Sequence, residues 1–77
     1  MASNKNDRDG EDEKEVGRTI ARLRRQADLT QEDLAGKAEI DRSYLSEIES
    51  GKKNISIKML KRLAKALGVK ASKLLGE

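Results

Sequence analysis

From Val16 onward the apolar residues recur at helical intervals. Val16, Ile20, Leu23 and Ala27 are spaced four, three and four, while Arg18, Arg22 and Arg25 fall mainly on other faces. This predicts a first helix over about 13–27. Three later segments repeat one arrangement: Leu29-Thr30 followed by Leu34, Ile40-Asp41 followed by Leu45, and Ile55-Ser56 followed by Leu60. In each, an apolar residue precedes a Thr, Asp or Ser, and a second apolar residue lies four beyond that cap. An N-cap joined to a hydrophobic staple has this signature. Helices are therefore predicted over about 31–38, 42–50 and 57–67. Gly51 can end the third in a left-handed conformation, and Gly68 stops the fourth. In that fourth helix Ile57, Leu60, Leu63, Ala64 and Leu67 should face inward, with Lys58, Lys61, Arg62 and Lys65 outward. A short fifth helix, about 71–75, offers Leu74 and Leu75. No strand alternation and no internal repeat interrupts this series, so the expected fold is all-α: a compact bundle of five short helices.

Residues 1–12 break the pattern. After Met1 they hold no aliphatic side chain larger than Ala2, too little to offset the entropy of ordering. They are expected to form a disordered acidic tail ahead of one folded domain, residues 13–77. Charge divides along nearly the same line. Residues 1–15 carry three Lys/Arg against six Asp/Glu, net −3, and residues 16–77 carry fourteen against eight, net +6. A basic body suggests a polyanionic partner, although solvated lysines also serve solubility.

The chain has neither Cys nor His. The usual zinc ligand sets cannot be assembled, so no metal site and no cofactor are expected. The commonest general base is missing, no nucleophile–base pair is readable, and an enzyme is not expected. No apolar run approaches the roughly 20 residues that cross a bilayer, and the N-terminus lacks the apolar core of a signal peptide. The expectation is a cytoplasmic protein.

Only Glu39 to Asp41 separate the second and third predicted helices. So short a connection forces a steep crossing, the helix-turn-helix arrangement. Small Ala35 lets the two helices approach, and Leu34, Ala38, Ile40, Leu45 and Ile48 can share a core. At about 100° per residue, burying Leu45 and Ile48 puts Ser43, Glu47 and Ser50 on the opposite face. Arg42 extends outward from the first turn. An α-helix fits the major groove of double-stranded DNA, where Arg reads guanine, Ser several bases, and Glu the amino group of cytosine. Arg42, Ser43 and Glu47 are thus candidates for base contact, with Ser46 beside them.

Each has a plainer alternative. Arg42 could touch only phosphate, Ser43 could serve its own first turn, and Glu47 could be a solvated acid. Tyr44, the one aromatic residue, should pack its ring over the domain edge and extend its hydroxyl to a phosphate, or be purely structural. Gln31, at a helix N-terminus, and Lys52, Lys53 and Asn54, after Gly51, are candidates for phosphate contact; the lysines could also form an ordinary solvated loop. Arg24 and Glu49 could meet as a partly buried ion pair where the first and third helices pack.

The stretch Leu29-Thr30-Gln31-Glu32-Asp33-Leu34-Ala35, followed by Ile40 through Lys52, resembles the Cro/repressor type of helix-turn-helix regulator. The likeness extends through Leu63 to Val69 and on to Leu74-Leu75, covering about residues 16–76. It implies a DNA-binding transcriptional regulator, a repressor or controller, with Gln31 on phosphate, Arg42, Ser43 and Glu47 toward bases, and Arg24 paired with Glu49. It also implies a homodimer on a near-palindromic operator, with Val69, Leu74 and Leu75 at the seam. Lys53-Asn54-Ile55-Ser56-Ile57 resembles controller proteins of restriction-modification systems in particular. Two positions depart from the family pattern. Glu39 stands where Gly is usual, and Lys70 where a capping Ser or Asp is common. The competing reading is an antitoxin-type interaction module whose protein partner engages the acidic tail. Membrane-surface binding by the fourth helix is disfavoured, because its leucines are needed for the core and it has no Trp or Phe.

Overall fold

Helix starts follow the caps. In the computed structural model, which describes residues 4–76 and the side chains of residues 12–76, the elements are α1 (Asn4–Gln26), α2 (Gln31–Ala38), α3 (Arg42–Glu49), α4 (Ile57–Leu67) and α5 (Ala71–Leu74). Thr30 Oγ1 accepts from the Asp33 amide at 3.0 Å, and Asp33 Oδ2 accepts from the Thr30 amide at 2.9 Å, a reciprocal capping box. The Thr30 amide donating to the carboxylate, foremost, and the Thr30 side chain beside it hold the Asp33 carboxyl below its ordinary pKa. Asp41 caps the Ser43 amide at 3.0 Å, and Ser56 caps the Met59 amide at 3.1 Å. The staple residues Leu29, Ile40 and Ile55 are half-buried against the core. Lys70 makes no side-chain cap, and α5 is a single short turn.

The start of α1 differs from expectation. The segment 1–12 lies partly outside the described residues, and within them helical backbone already begins at Asn4 rather than near residue 13. This early portion has no apolar stripe, so the interlocking part of α1 is the part from Val16 onward.

Ile20, Leu34, Leu45, Ile48, Leu63 and Leu74 are the largest fully buried side chains, one or two from each helix. Burying each contributes about 1.5–3 kcal/mol. α1 packs on α3, α2 on both α3 and α4, and α4 on α5. Besides Ala27, which is exposed just past the end of α1, two apolar placements depart from the sequence reading. Ile57, expected inward, is 73% exposed. It shares the azimuth of Ala64, but it is the first residue of α4, and its Cβ tilts toward the N-terminus, past the edge of the core. Leu74, expected at a seam between subunits, is 0% exposed within this chain. It fills the core that α5 closes, so it has no surface left to offer a second copy.

Two backbone features set the helix crossings. Glu39 has φ 59° and ψ 46°, the left-handed conformation, and the following Ile40 amide bonds to the Ala35 carbonyl at 2.9 Å. This turns the chain from α2 into α3. Gly17, inside α1, is a feature the apolar periodicity does not mark: a Cβ there would collide with the Ile48 carbonyl and lie 2.7 Å from the Glu49 carbonyl. α1 thus lies directly on the backbone of the last turn of α3. The available signal is the glycine itself, since Gly within a helix costs about 1 kcal/mol unless packing requires it.

Gly17→Ala should therefore lower stability by about 1–3 kcal/mol through overpacking, despite its better helix propensity. Thermal melts followed by circular dichroism check this, and an unchanged or raised melting temperature would contradict the close approach. Glu39→Gly should act oppositely and raise stability by roughly 1 kcal/mol, because it removes left-handed strain from a residue bearing a Cβ. The same melts measure it.

Candidate nucleic-acid interface

α3 is anchored on one face and open on the other. Leu45 and Ile48 are buried, while Arg42, Ser43, Glu47 and Ser50 are exposed and Ser46 and Tyr44 half-buried. Asp41 already satisfies the Ser43 amide, so the first turn does not need the Ser43 hydroxyl, which has no hydrogen-bond partner among the described residues. Ser50 differs: its hydroxyl donates to the Glu47 carbonyl at 3.1 Å and helps finish the helix. The Tyr44 ring packs against the core. Lys52, Lys53 and Asn54 are exposed in the loop beyond α3. That loop leaves Gly51 at φ 80°, with the Lys14 backbone of α1 so close that a Cβ on Gly51 would lie 2.9 Å from the Lys14 Cα.

Beneath the open face runs a chain of four polar side chains. Arg24 Nε donates to Glu49 Oε2 at 2.8 Å, and Arg24 Nη2 donates to Oε1 at 3.2 Å. Arg24 Nη1 donates to the Leu29 carbonyl at 2.8 Å. The pair is nearly buried, its side chains 12% and 6% exposed. Gln31 Nε2 donates to Glu49 Oε1 at 2.9 Å, and Arg42 Nη1 donates to Gln31 Oε1 at 3.5 Å. In the sequence, Gln31 and the Arg24–Glu49 pair read as separate features. The structure joins them, so the α2 residue is held by the carboxylate that locks α1 to α3. A Gln amide has two N–H groups, and among the described residues Gln31 Nε2 makes one hydrogen bond. The candidates on α5 are not joined to this surface. Val69 is half-buried, Leu74 buried, and Leu75 56% exposed.

A helix held from beneath, open above and flanked by cations and a helix N-terminus can enter a groove of duplex DNA and grip its backbone. Among the described residues no cluster of His, Cys, Asp or Glu could hold a metal ion, and no helix is long and apolar enough to cross a membrane.

Residues 20–74 match the Helix-turn-helix protein family. The chain belongs to it. The family is one of DNA-binding transcriptional regulators rather than enzymes, and this helix-turn-helix protein is such a regulator. It is 44% identical over 62 residues to the immunity repressor protein of Bacillus phage phi105, covering 80% of this chain but only 43% of that protein. The chain thus spans less than half the length of the phage repressor. The restriction-modification controller protein C.AhdI from Aeromonas hydrophila has a crystal structure that superposes with a TM-score of 0.80 at 35% identity, covering 82% of this chain and 96% of that one. SinR, a master regulator for biofilm formation crystallised in complex with DNA, superposes with a TM-score of 0.75 at 34% identity, covering 78% of this chain and 97% of that one.

The buried pair has a measurable consequence. Removing the carboxylate by Glu49→Ala should cost about 3–5 kcal/mol, because Arg24 is left charged and nearly buried. Arg24→Ala should cost a similar amount, and the double variant less than the two together. Urea unfolding of all four proteins gives the coupling, and purely additive losses would refute it.

Proposed function

We propose that this regulator binds a near-palindromic operator as a homodimer and reads the major groove with α3. Arg42, Ser43 and Glu47, with Ser46 at their side, meet base edges. Gln31, Tyr44, Lys52, Lys53 and Asn54 contact phosphates and set the register. The observation carrying this reading is the α3 surface: Leu45 and Ile48 are buried, Arg42, Ser43 and Glu47 are exposed, and Arg42 lies beside the Gln31 that Glu49 holds. The near-complete coverage of a restriction-modification controller, and the identity to a phage repressor, support a repressor or controller role in the cytoplasm. The two subunits meet through Val69 and the exposed Leu75, without Leu74, and bind half-sites about one helical turn, roughly 34 Å, apart.

Arg42→Ala should relax preference at one base position per half-site and cost about 1–3 kcal/mol of binding. Lys52→Ala should weaken all sequences alike and reduce the salt slope by about one. Selection of bound sequences from a random duplex pool, followed by anisotropy titrations at several salt concentrations, measures both. If both variants bind the selected site as wild type does, the assigned surface is wrong.

A further inference from the structure

α1 carries cations that the polar chain does not use. Arg18, Arg22 and Arg25 are spaced four and three, forming one stripe, and all three are exposed. With buried Ala21 and with Glu49 they line a groove of about 380 Å³ between α1 and α3. Glu49 does not neutralise them, since both its oxygens accept from Arg24 and one also accepts from Gln31. Among the described residues, the Arg24–Glu49 contact is the only ion pair. The groove therefore presents three guanidinium groups that have no carboxylate within ion-pair distance among the described residues, beside the carboxylate that holds Gln31.

We propose that this arginine edge of α1 is a second contact with the DNA backbone, extending the interface beyond the helix-turn-helix unit onto the flanking duplex. The inference rests on the DNA-binding reading above. Three features favour phosphodiesters as the partner. Guanidinium forks match phosphate oxygens in geometry. Seven residues of helix rise span about 10 Å, the axial length of about three phosphates on one strand. The groove also adjoins the chain of side chains leading to the reading face. The other cationic groove, at Lys37, Arg62 and Lys65, contains Glu39 and lies at the C-terminal end of α2. An acid and the negative helix end both oppose an anion there.

The test uses the full chain, a mixed-sequence duplex and the triple variant Arg18→Gln/Arg22→Gln/Arg25→Gln. The slope of log affinity against log salt should fall by about 0.9 for each phosphate that the variant no longer neutralises, and by about 2.7 if every arginine meets one. Base preferences in a random-pool selection should remain those of wild type. The companion Arg18→Lys/Arg22→Lys/Arg25→Lys keeps the charge and should retain most of the slope. An unchanged slope in the glutamine variant, with wild-type protein binding normally, overturns the inference and leaves the DNA reading intact. Equal losses in the lysine and glutamine variants also overturn it, because they indicate a structural role for the arginines. If the wild-type protein binds no duplex at low salt, the DNA reading fails and takes this inference with it.

Discussion

Arg24 and Glu49 stand 25 residues apart in the chain and 2.8 Å apart in the fold. Their contact ties the end of α1 to the end of α3, and Gln31 brings in the start of α2 by bonding to the same carboxylate. A nearly buried ion pair contributes little net stability, because desolvation offsets most of the attraction, but its geometry is exacting once formed. Here the hydrogen-bonding capacity is well used. The guanidinium donates three bonds, one of them to the Leu29 carbonyl, and the carboxylate accepts three. Three helices thus share one hub, which holds α3 at a defined height and rotation.

The hub works only because α1 can reach it. Gly17 lets the two backbones touch where a methyl group would separate them. Leu45 and Ile48 then seat α3 from below, and the Asp41 cap frees the Ser43 hydroxyl above. Recognition by a small domain depends on rigidity, because side chains that must be ordered on binding lose affinity to entropy. The bonds from Arg24 through Glu49 to Gln31 order the start of α2 and the end of α3 in this way.

How legible each feature is in the sequence depends on its range. The three caps and their staples are each written within six residues, and the structure places α2, α3 and α4 at those starts. The left-handed turn at Glu39 is marked only by the resemblance, as a position where Gly is usual, and not by spacing or periodicity. Arg24 and Glu49 can be paired by supposing that two helices pack. The link from Glu49 to Gln31 cannot, because it depends on the crossing angle of α2 with α3. Leu74 and Leu75 are neighbours with the same side chain, yet one is wholly buried and the other 56% exposed. Periodicity over one turn of helix cannot separate such a pair.

The sequence by itself determined the series of helices, where four of them stop or start, the face that the longer ones turn inward, and the type of surface left on α3. These follow from hydrogen bonds and apolar contacts between residues a few positions apart, which any reader of the chain can count. Tertiary structure alone decided that Gly17 is a contact point, that Ile57 overhangs the core, that Leu74 is spent inside it, and that Gln31 belongs to the ion pair. Each of these depends on the distance and angle between helices remote in sequence, quantities set jointly by all the packed side chains and written in no single segment.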